Sequence, residues 1–150
     1  PVSALRGSIM ETIEITARYI SENARMNFMP AAFRGAFFSA DHFIQSFLNR
    51  YAKDYQGGYW EYLQASNGAF FMEAPQPLWL SLPNYFEGEC SAREVGIIVC
   101  LYAYSYFCGL AYEEGKAELN ETMANRYHLL REYVNTLENE SQNRIYRAID

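Results

Sequence analysis

Histidine is scarce: the 150 residues include only His42 and His128. Neither has a Cys, His or carboxylate at a spacing that forms a known metal pattern. No metal or other cofactor is therefore expected. Cysteine is scarce too, and Cys90, Cys100 and Cys108 make an odd set. Cys100 and Cys108 fall on one helical stretch, separated by about 12 Å of rise, whereas bridged Cα atoms sit within about 7 Å. Those two cannot pair, and free thiols in a reducing compartment are expected. No charged-then-apolar leader opens the sequence, so the expected location is the cytoplasm. There is no internal repeat, no low-complexity tract and no G-x-x-x-x-G-K-S/T phosphate loop.

Basic charge is thin where it would matter most. Residues 61–121 hold nine acids against two bases, Arg93 and Lys116. A phosphate-tracking groove needs clustered Lys and Arg, so strong direct nucleic-acid binding is not expected. The net charge of −6, from 18 acids and 12 bases, raises the opposite idea, an acidic DNA mimic. Duplex DNA carries about one charge per 1.7 Å of axis, and acids diluted in this way fall short of it. The mimic stays as an alternative.

Apolar and aromatic residues are abundant. Half the residues are hydrophobic, 17% are aromatic and 13 are Tyr. That composition is globular, and the length suits one domain spanning residues 1–150. Tyrosine joins apolar area to a polar tip, which suits cores that reach the surface and also interfaces.

The organising stretch is Gly57–Pro75. Asn67-Gly68 between two aromatic runs predicts a two-residue type I′ hairpin. That loop sets Ser66 against Ala69 and Leu63 against Met72. Leu63, Ala65, Phe70 and Met72 then share one face, and Trp60, Tyr62 and Phe71 the other. Before it, Ile13, Ile15 and Ala17 alternate as a short strand, with a helix nearly as good a fit. Pro30 marks a break, with a helical turn to Phe33. A helix from Ser39-Ala40-Asp41-His42 carries Phe43, Ile44, Phe47, Leu48, Tyr51 and Tyr55, ending by Gly57-Gly58. After the hairpin, Leu78–Leu82 and Tyr85–Cys90 read as further strands of an antiparallel meander. Ser91 and Glu94 form a capping box. The helix behind it, to about Tyr112, has no charge from Val95 to Ala111. Tyr102, Tyr104, Tyr106 and the acids Glu113-Glu114 that follow argue for a buried post rather than a membrane span. Helices at about Glu118–Leu137 and Gln142–Ile149 complete the chain. The class is α+β, with three to four short antiparallel strands among four to five helices.

Candidate chemistry is sparse. Ser91 lacks a G-x-S-x-G elbow and is explained as a cap. Cys90, near a helix start, is the one thiol whose pKa could fall. Glu61 and Glu73 flank the hairpin as a candidate carboxylate pair. Trp60, Tyr59 and Tyr62 could stack on bases, but core packing or a protein interface fits the low basic charge better. Nothing assembles an acid, a base and a nucleophile. A small hydrolase using Glu61 or Cys90 is the alternative to a protein-binding domain.

Ordered blocks resemble one family. Gly57-Gly58-Tyr59-Trp60-Glu61, Ser66–Met72 and Ala74-Pro75 are similar to the ArdB/KlcA family of antirestriction proteins. So are Arg25-Met26-Asn27-Phe28-Met29-Pro30 with Phe33, and Gly88–Ala92 through Gly96-Ile97-Ile98. Arg126–Arg131 and Ile145–Asp150 complete the pattern, while Arg93 stands where the family tends to Asp. The resemblance implies a small α+β product of a plasmid or other mobile element that protects DNA from type I restriction–modification enzymes. It implies contact with that complex, or with an associated host protein, and no cofactor. Asn67, Arg147 and Asp150 are the expected contact groups.

Overall fold

The computed structural model describes residues 14–150. It holds five short strands and five α-helices among those residues, with two 3-10 segments at Glu22–Asn27 and Arg34–Ala36. The strands are β1 (Ala17–Tyr19), β2 (Glu61–Ala65), β3 (Phe70–Glu73), β4 (Leu78–Ser81) and β5 (Glu87–Cys90). The helices are α1 (Phe28–Phe33), α2 (Phe37–Tyr51), α3 (Ala92–Glu113), α4 (Ala117–Val134) and α5 (Asn139–Ile149). The class is α+β. The antiparallel meander is β1-β2-β3, and β4-β5 forms a separate two-stranded sheet. An isolated bridge between Ala52 and Leu80 ties that second sheet to the end of α2. Ile13 of the expected first strand lies outside the described residues. Pro30 sits within α1 instead of ending a helix, because a first helical turn does not use its N–H.

The hairpin departs from the expected register by one residue. Leu63 pairs with Phe71 and Tyr62 with Met72. Gly68 N donates to Ala65 O at 2.9 Å, Ala65 N donates to Ala69 O at 2.8 Å, and Gly68 has φ +96°. Asn67 does not have positive φ, so the loop is three residues closed by a glycine bulge, not a type I′ pair. The Asn67 side chain decides this: Oδ1 accepts from Ala69 N at 3.1 Å and Nδ2 donates to Leu129 O on α4 at 2.9 Å. A one-residue slip exchanges faces. Phe71 therefore joins Leu63 and stacks on Tyr133, with centroids 4.9 Å apart. Tyr62 and Phe70 take the other face, against Phe28.

α3 lies along the edge of β3 that β2 does not pair. Ala74 N donates to Ala92 O at 2.9 Å, and Tyr104 Oη donates to Phe70 O at 2.7 Å. Between them Gly96 faces the Met72 carbonyl so closely that a Cβ there would stand 1.6 Å from its oxygen. Ala92, Gly96, Cys100 and Tyr104 form one i, i+4 ridge. Its step of about 6 Å nearly matches the two-residue step of a strand, about 6.8 Å. The helix thus covers a sheet edge that would otherwise expose unpaired backbone groups. α3 has the length and composition of a membrane span, but Val95 to Leu101 are all buried within the fold.

The start of α3 holds the buried charge. Ser91 and Glu94 form the expected capping box. Glu94, 2% exposed, also takes Arg144 Nη2 at 2.8 Å, Arg144 Nε at 2.9 Å and Ser141 Oγ at 2.5 Å from α5. Burial alone would raise its carboxyl pKa. The hydrogen bonds from Arg144, Ser141 and the Ser91 amide outweigh burial and hold it below the usual value.

Two outcomes follow. Gly96→Ala forces α3 off β3 and costs about 3 kcal/mol or more in urea unfolding; an unchanged midpoint contradicts the edge contact. Because the Glu94 carboxyl is depressed in the folded state, its stabilisation is full above the ordinary carboxylate range, about pH 4.3, and fades as pH falls through the lowered value. Glu94→Gln should cost about 2 kcal/mol at pH 7 and flatten the loss of stability on acidification relative to the parent.

Candidate functional site

The expected carboxylate pair meets across the hairpin root, since Glu61 and Glu73 are directly opposed in register. Each is matched by its own arginine. Arg93 Nε donates to Glu73 Oε2 at 2.9 Å, and Arg25 Nη1 stands 4.0 Å from Glu61 Oε2. Arg93 also donates to Tyr133 Oη at 3.2 Å and Tyr19 Oη at 3.1 Å, while Tyr19 donates to Glu73 Oε1 at 2.9 Å. Arg25 lies between the Tyr59 and Tyr62 rings, 4.3 and 4.6 Å from their centroids, and donates to Trp60 O at 2.8 Å. These aromatic side chains are occupied by arginine rather than left open for bases. Trp60 is buried and Tyr59 is exposed.

Cys90 is fully buried. Burial, with Glu94 nearby, pushes its thiol up to about 12, the opposite of what a nucleophile needs. Cys100 is likewise pushed up to about 12 by burial. The three thiols are free. His42 stands 3.5 Å from Ser46 Oγ within α2, and His128 is exposed beside Tyr127.

Of the expected contact groups, Asn67 is half-buried and tethers the hairpin tip to α4, with Glu132 Oε2 as a further acceptor at 3.3 Å. Arg147 and Asp150 are exposed at the end of α5. The Arg147 guanidinium lies 5.6 Å from the Phe86 ring centroid. The backbone beneath it is pinned: Asn84 Nδ2 donates to the Arg147 and Ala148 carbonyls at 3.1 Å, and Tyr102 Oη donates to Ala148 O at 2.6 Å. Asn67 and Arg147 have no contact partner in common.

Sequence reasoning missed an open surface depression where the start of α2, the second half of α3 and the start of α4 meet. It consists of two adjoining depressions of about 560 and 750 Å³ that share Ser39, Phe107 and Leu110. Phe38, Phe43 and Tyr106 wall one end, and Arg34, Glu114, Lys116 and Glu118 rim the other. Phe38 is 79% exposed and Tyr106 52%. Periodicity could not find it, because apolar residues on an all-round apolar helix do not announce which face stays open.

The geometry is that of a small α+β protein in which Arg25, Arg93 and Arg126 rest on aromatic rings and bond to its own backbone and side chains. The family described as Antirestriction protein matches residues 53–150. The chain is 30% identical over 140 residues to the antirestriction protein KlcA of Escherichia coli, covering 91% of this chain and 95% of that one. It is 29% identical over 145 residues to the protein YafX of Escherichia coli strain K12, covering 91% and 89%. A solved structure superposes with a TM-score of 0.75 at 31% identity, over 93% of this chain and 99% of that one. That structure comes from work on KlcA and ArdB, described as a novel fold with antirestriction activity against Type I DNA restriction systems in vivo but not in vitro. The chain belongs to the antirestriction protein family.

A thiol reagent gives a direct check on the Cys90 environment. Native protein at pH 8 should leave Cys90 unmodified, with labelling only at the rate of unfolding. Rapid native labelling, located at Cys90 by peptide mapping, would show a reactive thiol.

Proposed function

We propose that this chain is an antirestriction protein that relieves restriction by type I restriction–modification enzymes through protein–protein contact, without catalysis. Family membership across most of the chain carries the reading. The state of the titratable groups supports the absence of catalysis: Cys90 is buried with a raised pKa, and Glu61 and Glu73 each face an arginine. Charge supports contact with protein rather than with nucleic acid. Arg25, Arg93, Arg126 and Arg131 all lie over aromatic rings, which leaves little clustered cation for a phosphate backbone.

The partner is the type I complex itself or an associated host protein. The solved relative's activity in vivo but not in vitro favours a component present in cells. The protein acts in the cytoplasm as one folded unit, and its gene travels with a plasmid or other mobile element. Arg147 and Asp150 are contact groups at the exposed end of α5, and Asn67 positions the hairpin tip.

Plating of unmodified phage tests this. A host with a type I system should give markedly more plaques when it expresses the chain, and a host lacking that system should show no change. Equal restriction with and without the protein rejects the reading.

A further inference from the structure

We propose that Tyr85, at the tip of the β4–β5 turn, is the anchor by which this chain docks, its ring entering an apolar pocket on a partner protein with Arg147 beside it. The proposal deepens the antirestriction reading and rests on that reading for its cellular partner.

The two hairpin turns of the fold are built alike, and they differ at one position. In the first, Gly68 N donates to Ala65 O, Ala65 N donates to Ala69 O, and Asn67 Oδ1 accepts from Ala69 N. In the second, Tyr85 N donates to Leu82 O at 3.0 Å, Leu82 N donates to Phe86 O at 2.9 Å, and Asn84 Oδ1 accepts from Phe86 N at 3.0 Å. Each turn therefore needs a left-handed residue after its Asn. The first uses Gly68 at φ +96°, and the second uses Tyr85 at φ +71°. A residue with a Cβ is disfavoured there, and a bulky one is a true outlier. Glycine would serve the turn better, so turn geometry does not explain the tyrosine.

Packing does not explain it either, because Tyr85 is 95% exposed. Phe38 and Tyr112 are also largely exposed, at 79% and 78%, but they stand on ordinary helical backbone. Of the large exposed apolar side chains among the described residues, Tyr85 alone has a positive φ. Arg34 and Asp54 share the positive φ, yet they lie just past the ends of α1 and α2, where a left-handed residue commonly closes a helix. Strain kept without benefit to the fold is a mark of function.

The ring is displayed on a rigid mount. Leu82 and Phe86 are buried on either side of it, and Pro83 fixes one φ of the turn. Asn84 Nδ2 ties the tip to the Arg147 and Ala148 carbonyls of α5. A preorganised aromatic loses little entropy on docking. Tyr and Arg are the residue types that most often dominate binding energy, within a rim of polar groups. Here Pro83, Glu87, Arg147 and Asp150 are all exposed around the turn or at the end of α5 tied to it.

Shape and charge select the occupant. A single projecting ring is convex, so its complement is a pocket. A two-fold contact between copies sets one patch against itself, and the tip of this turn offers no pocket to its own mate. Base stacking would bring a phosphate backbone alongside, which needs clustered cations. Arg147 is accompanied instead by the acids Glu87, Glu89 and Asp150.

Tyr85→Gly gives the decisive test, because it removes the ring and relieves the backbone together. Its Tm should rise by about 2–4 °C, while relief of type I restriction in the phage assay falls tenfold or more. Tyr85→Phe should keep relief, and Tyr112→Ala should leave it unchanged. Full relief by a folded Tyr85→Gly chain, or loss of relief only because that chain unfolds, overturns the proposal. A second measurement does not depend on relief. The photoreactive p-benzoyl-phenylalanine is placed at position 85, or at position 112 as a control, in cells that carry the type I system. Position 85 alone should give a discrete adduct that protease removes and nuclease does not, with the label on apolar residues of one partner protein. No adduct, a nuclease-sensitive adduct, or an adduct between two copies of this chain overturns it. If the parent chain gives no relief, the functional reading fails, and the crosslink still judges the anchor.

Discussion

One contact organises the molecule: the ridge of α3 laid along the free edge of β3. A strand edge carries unpaired N–H and C=O groups, and burying them without partners is costly. Here a helix supplies the partners. Ala92 O receives the Ala74 amide, Tyr104 Oη reaches Phe70 O, and Gly96 lets the two backbones touch. The four-residue step of the helix and the two-residue step of the strand nearly agree in length. The same ridge can therefore meet the strand repeatedly. With this edge closed, the faces of the small sheet can be packed by Phe28 on one side and Tyr133 on the other.

Arginine does much of the remaining joining. Arg144 crosses from α5 to the buried Glu94 at the head of α3. Arg93 joins α3 to β3, β1 and α4 through Glu73, Tyr19 and Tyr133. Arg126 donates to the Ala31 and Ala32 carbonyls at the end of α1 and lies 5.2 Å from the Phe70 ring centroid. A guanidinium can hydrogen-bond in its plane while its face rests on an aromatic ring. That double use suits a chain with many Tyr and Phe and short sheets. It also commits Arg93, Arg126 and Arg144 to contacts within the fold.

Much of this was legible in advance, and the reasons differ by element. The capping box at Ser91 and Glu94 is a local motif with a local cause, and it forms as expected. The helices over residues 37–51, 92–113, 117–134 and 139–149 follow apolar periodicity, with shifts of a few residues at their ends. The blocks resembling the antirestriction family are in large part structural. Arg25 and Phe28 pack on Tyr62, Phe33 stacks on Tyr104, and Arg126 holds the end of α1. Reading such motifs as contact surfaces is unsafe, because core and site leave similar marks in one sequence. Asn67 illustrates this: its amide is spent on Ala69 and Leu129.

By itself the sequence determined the α+β class, the order of its elements, the buried central helix and the family. Each follows from short-range chemistry: periodicity, caps, turn residues and motif spacing. Tertiary structure decided the hairpin register, the split of the strands into two sheets and the face of α3 that stays open. Asn67 could be satisfied in either register until Leu129 came within reach across the fold. An apolar helix has no preferred side until its neighbours cover some of its faces and leave another to solvent.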